Sequence, residues 1–146
     1  MIQDQTQVTG RLIIEVLDKD GNVKDKRDIE NLVVAVGKTF IASRMVGATA
    51  NVMSHMAIGS GTTAAASGDT TLGTELGRVA LSSSTSSGAV ATYVASFPAG
   101  TGTGAVTEAG ILNAGSAGTL LARTVFATVN KGADDAMSIT WAITVS

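Results

Sequence analysis

The sequence predicts an all-β fold: an antiparallel two-sheet sandwich, a jelly roll of about eight strands, with one short helix near residues 37–47. Three observations predict it. Near the C-terminus Met137, Ile139, Trp141, Ile143 and Val145 alternate with Ser138, Thr140, Ala142 and Thr144, the period of two that marks a half-buried strand. Turn material recurs at short intervals, with Gly at 17 positions and Pro at one, which suits tight turns rather than a Pro-rich linker. Aromatic residues make up only 3% of the chain, so the core is built from Val, Ile, Leu and Ala around a single Trp, whose place on the apolar face makes it a core plug.

A chain of 146 residues is one domain, long enough to bury roughly 68–70% of its unfolded surface. We divide it into an extended arm over residues 1–9 and a single sandwich domain over 10–146. After the arm, Leu12, Ile14 and Val16 alternate in a first strand over 11–17. Asp20-Gly21 follows and predicts a hairpin, because Gly tolerates positive φ. A second strand over 23–36 begins with Lys24, Asp25, Lys26, Arg27 and Asp28, a solvated edge, and ends in Val33, Val34 and Val36. Phe40, Ile41 and Met45 stand at helical spacing, with Gly47 as the stop.

A third strand is expected over 51–58. The Gly/Ser/Thr/Ala-rich loop at 59–74 is long for a structureless connection, and such loops are usually functional or interfacial. Strands over 75–82 and 89–97 flank Ser82–Gly88, which reads as a turn. Strands over 105–113, 120–126 and 136–145 complete the set, with 130–134 as a further turn.

The composition narrows the chemistry. A formal net charge of −2 with no basic block gives no electrostatic footprint for nucleic acid. Without Cys there is no disulfide framework and no thiolate metal site. No run approaches the ~20 apolar residues of a membrane helix, and the N-terminus lacks a leader pattern. The expectation is a soluble protein made in a cytoplasm, with no membrane partner.

Four local patterns resemble ligand sites and fail on spacing. Gly37-Lys38-Thr39 lacks the upstream Gly of a phosphate loop, since Leu32 stands there. Gly59-Ser60-Gly61 is followed by no periodic helix, so it has no dinucleotide-binding setting. The acidic turn at 18–22 carries Val23 where a calcium loop needs Gly. Asp134 and Asp135 are adjacent and read as solvated turn residues, a poor acid/base pair. His55 is the only His, which excludes a His-based zinc triad and suits a half-buried strand position. We assign no catalytic, cofactor or metal-binding residue, and expect a protein that is not an enzyme.

Glu75, Arg78, Glu108 and Arg123 are charges set among apolar and small residues, and the expectation for them is a structural ion-pair set.

The segments at 57–61, 72–78, 107–111 and 121–126, with Asn130-Lys131, together resemble a module of tailed-bacteriophage virion proteins, found in small capsid cement (decoration) proteins and in tail-fibre modules. The likeness covers about two-thirds of the chain. It implies a structural protein of the virion, made in the host cytoplasm. The short chain, without a shaft or an attachment segment, favours the cement reading: a protein on the outer surface of the head, bridging major capsid subunits, as a homodimer or homotrimer. The alternative is a tail-fibre or baseplate domain that binds a host receptor or glycan. The expected capsid or self-association contacts are Met1, Ile2, Gln3, Gln5 and Gln7 in the arm, and Gly59, Gly61, Thr62 and Thr63 in the long loop, two stretches unlikely to be ordered alone.

Overall fold

The computed structural model describes residues 6–146. It is mostly β, with nine antiparallel strands and one helix among the described residues: β1 (Val8–Leu17), β2 (Val23–Val33), α1 (Ala35–Met45), β3 (His55–Gly59), β4 (Glu75–Ala80), β5 (Ser83–Ser87), β6 (Val90–Phe97), β7 (Gly104–Leu112), β8 (Leu120–Lys131) and β9 (Ala136–Val145). They form one curled sheet in the order β4-β3-β7-β8-β2-β1-β9-β6-β5.

The curl is made at two places. β2 pairs with β1 along most of its length but with β8 only through Leu32 and Val33. It therefore passes from one leaf, β5-β6-β9-β1-β2, to the other, β8-β7-β3-β4. Where β2 and β8 diverge, the Arg27 guanidinium donates to the carbonyls of Ala127 and Thr128, and the Thr124 hydroxyl donates to the Glu30 carbonyl. At the opposite side β4 and β5, the first and last strands of the order, are joined in sequence by Leu81 and Ser82. The Leu81 N–H donates to the Ser54 carbonyl and the Ser82 N–H to the Val94 carbonyl, so this connection bonds to both leaves.

Apolar alternation fills the space between the leaves. Leu12, Ile14 and Val16 of β1, Met137, Ile139 and Trp141 of β9, and Phe97 of β6 meet Met56, Ile58, Val106, Ile111 and Val129 from the facing strands. Trp141 is fully buried, and its indole N–H donates to Asn31 Oδ1 at 3.0 Å. The sole Trp is the core plug that its alternation predicts. Phe40 and Ile41 of α1 pack against the same core. Gly37 lets the helix touch the sheet, because a Cβ there would collide with the Leu121 carbonyl. Gly47, at φ +74°, ends the helix as expected.

Several boundaries differ from the sequence reading. β1 begins at Val8, paired with Val145, so Val8 and Thr9, read as the end of an arm, belong to a strand. Residues 83–87, read as a turn, are strand β5 paired with β6; Ser has little strand preference of its own, and the neighbour imposes the extended form. β8 runs on to Lys131, five residues past the expected end at Phe126, because β7 offers it partners as far as Gly104. The Asp18–Asn22 turn is the expected hairpin, with Gly21 at φ +83°. No described helix is long and apolar enough to cross a membrane.

Candidate functional site

A second, smaller cluster lies on the outer face of the β3-β7-β8 leaf, where Leu72 from the long loop covers Val34, Ala57, Leu112 and Leu120. β3 is consequently buried on both faces. Gly110 makes room for this cover, since a Cβ there would strike the side chains of Leu72 and Leu120.

The polar counterpart of that cover is a latch centred on Glu108. β7 carries this carboxylate, fully buried, to the underside of the loop. It accepts backbone N–H bonds from Gly61 at 2.5 Å, Gly73 at 2.7 Å and Thr74 at 2.8 Å, and the Nε of Arg123 donates to it at 3.1 Å. Arg123, on β8, also donates to Asp69 at 2.8 Å and to the Thr63 carbonyl at 3.1 Å. The Asp69 carboxylate accepts from the Ala66 N–H, and the Thr107 hydroxyl donates to the Gly61 carbonyl. Both ends and the middle of the loop are thus fastened to two adjacent strands. Gly61 is required by this contact, as a Cβ there would overlap the Glu108 carboxylate.

The electrostatics follow from the geometry. Burial pushes Glu108 towards the neutral acid, but the three N–H donors and Arg123 outweigh it and hold the carboxyl below its ordinary range. Asp69 is also held low, first by the Ala66 N–H, with burial opposing and Arg123 adding to the effect. Glu108, with four bonds spread over its two oxygens, has nearly all of its hydrogen-bonding capacity committed to structure.

The charged residues singled out in the sequence are ion-paired, in two separate sets. Glu75 and Arg78 pair at 2.7 Å on β4, and Arg78 also donates to the carbonyls of Ala114 and Ala117. Glu108 and Arg123 form the buried pair, joined by Asp69, which sequence reasoning missed. Four of the sequence segments singled out above, 57–61, 72–78, 107–111 and 121–126, converge here, supplying Gly61, Gly73, Thr74, Glu108 and Arg123.

The structure places the expected contact residues unequally. Gly59 and Gly61 are buried under the latch, whereas Thr62 and Thr63 are exposed on the loop. The loop itself is fastened, in contrast to the expectation that it would be unordered alone. Gln7 is exposed, and its backbone exchanges hydrogen bonds with Ser146. Met1, Ile2, Gln3 and Gln5 lie outside the described residues.

A third polar cluster corrects the reading of Asp135 as a solvated turn residue. Asp135 is buried, pairs with Lys24 at 2.6 Å and accepts from the Gly132 N–H at 2.7 Å. Lys131, also buried, donates to the carbonyls of Pro98 and Asp135. Burial lowers the affinity of Lys131 for its proton, with Asp135 opposing. Asp134 remains exposed. His55 is half-buried, with Nδ1 at 2.8 Å from the Ser54 hydroxyl, in keeping with its reading as a strand residue.

An apolar cleft of about 250 Å³ opens between α1 and the β5–β6 hairpin, lined by Phe40, Ile41, Val90, Tyr93 and Val145 among others. Burial beside it raises the pKa of Tyr93 above the ordinary phenol value. No protein-family model, curated protein or solved structure matches the chain.

Proposed function

We propose that this chain is a non-enzymatic bacteriophage cement protein that binds the outer surface of the head and bridges major capsid subunits. The observation that carries the reading is the convergence of the phage-like segments on the Glu108–Arg123 latch. That latch holds Thr62 and Thr63 outward on a preformed surface. A contact loop fixed before binding loses less entropy on docking than a mobile one, so more of its interaction energy appears as affinity. Repeated over many symmetric sites, and linked by self-association into dimers or trimers, modest contacts raise the free energy needed to open a shell. We read the two leaves as the two sheets of a jelly-roll-like sandwich suited to this passive, bridging role. Trp141 lies in the core, away from any surface where it could stack on a sugar, which favours the cement reading over glycan recognition by a tail fibre.

A mass-spectrometric copy count on purified particles tests this directly. Hundreds of copies per particle support a head protein; a few to tens assign the chain to the tail. Purified protein should also bind purified heads, with Thr62→Asp and Thr63→Asp lowering occupancy without changing stability. Removing residues 1–5 should lower occupancy as well, and unchanged occupancy would refute a role for the arm.

A further inference from the structure

The edge of β5 is unusual for a surface strand. All five of its residues, Ser83–Ser87, are exposed. It pairs with β6 on one side, and no described strand pairs with the other. Natural sheets shield such edges with charges, Pro or bulges. β4, at the other end of the sheet, carries the Glu75–Arg78 ion pair. β5 carries nothing of the kind: no Asp, Glu, Lys, Arg or His occurs anywhere between Arg78 and Glu108. Exposed apolar side chains lie near the β5–β6 hairpin. Val52, 58% exposed, lines a groove of about 260 Å³ with Ser84, Thr85 and Ser86. Met45, 84% exposed, lies one helical turn beyond Ile41, which shares the apolar cleft with Ser86 and Tyr93.

We propose that β5 is a self-association edge, pairing antiparallel with β5 of a second copy about a two-fold axis. Three features identify the partner as this chain itself. The run Ser-Ser-Thr-Ser-Ser reads the same in both directions, so a two-fold pairing sets Thr85 opposite Thr85 and Ser84 opposite Ser86. The edge and its hairpin are uncharged, so two copies meet without like-charge repulsion. The groove that Val52 shares with Ser84, Thr85 and Ser86 gives each copy an uncharged apolar surface next to the pairing residues, which the same axis brings to both sides of the interface. This deepens the self-association part of the proposed function and rests on that part alone.

Sedimentation equilibrium of the full chain, without capsids, tests the pairing. The expected species is twice the 14.6 kDa chain mass. Thr85→Lys places two like charges across the axis and should weaken dimerisation by at least about tenfold, the effect of ~1.4 kcal/mol. Retained Trp fluorescence and circular dichroism would show that the monomer is folded, and Ser87→Lys serves as the second variant should Thr85→Lys misfold. Because the chain has no cysteine, Thr85→Cys should form disulfide-linked dimers on mild oxidation, while Ala80→Cys on the β4 edge should not. A monomer at every concentration, a trimer, or a dimer indifferent to both lysine variants and cross-linked through Ala80→Cys would each overturn the proposal. Because capsids are absent from these measurements, such a failure is distinguishable from failure of the head-binding reading.

Discussion

The guanidinium of Arg123 lies 3.1 Å from the carboxylate of Glu108, with 3% and 0% of the two side chains exposed. A pair so thoroughly removed from water stabilises a fold only when its remaining hydrogen-bonding positions are filled. Here they are filled by the loop, so the pair and the loop backbone depend on each other.

Glu108→Ala should therefore be far more damaging than loss of a surface ion pair. It leaves Arg123 without its buried partner and strips an acceptor from three backbone N–H groups. The expected loss is about 3–5 kcal/mol, measured by urea denaturation, with faster proteolysis inside the loop. A loss below about 1 kcal/mol, the scale of an exposed pair, would refute the latch.

Acid should release the same device. The folded pKa of Glu108 and of Asp69 is depressed, so the unfolded chain binds protons first as pH falls. Their contribution is complete above the ordinary carboxylate values of about 4. It is lost as pH drops from there through the depressed folded values. Stability measured against pH should decline in that window, and the decline should be shallower in Glu108→Gln.

Gly61→Ala adds one methyl group against the Glu108 carboxylate. We expect a loss of about 1–3 kcal/mol, the usual cost of overpacking, with weaker protection of the Gly73 and Thr74 amides in hydrogen exchange. Unchanged protection would show that the carboxylate can move aside.

Trp141→Phe removes the indole donor to Asn31 Oδ1. The Nδ2 atom of that amide already has no partner among the described residues, so the variant leaves the whole group unsatisfied. A loss of about 1–3 kcal/mol is expected in thermal unfolding followed by circular dichroism. Stability equal to the parent would show that water replaces the indole.

Much of the fold was legible because local pattern and tertiary environment agree. Leu12, Ile14 and Val16, and Met137, Ile139 and Trp141, alternate because one face of each strand meets the core. Asp20-Gly21 marks its hairpin by backbone chemistry alone. β5 was illegible because its serines match a turn by composition, and only the pairing with β6 extends them. The end of β8 was hidden by Lys131, a residue type seldom buried without partners; its acceptors, Pro98 and Asp135, are recognisable only once the chain is folded. The latch was half legible: Glu108 and Arg123 stood out as charges in apolar strands, but Glu108 is held mainly by backbone N–H groups and Arg123 reaches a backbone carbonyl, and such partners carry no sequence signal. Asp69 looked like an ordinary loop residue because its partner Arg123 is 54 positions away in sequence and meets it only in the folded chain. Two packed sheets of about eight strands were expected, whereas the strand order is that of one curled sheet of nine described strands, continuous through β2.

The two sides of the curl differ in what resists their separation. At Leu81 and Ser82 the leaves are continuous along the polypeptide, so spreading them there works against covalent geometry. At β2 they are held by the pairs Leu32–Arg123 and Val33–Ala122, by the Val34 N–H on the Leu121 carbonyl, and by the side-chain bonds of Arg27 and Thr124. Under mechanical load the molecule has a hinge and a clasp: the β4–β5 connection is the hinge, and the β2–β8 junction is where it would be pried open first.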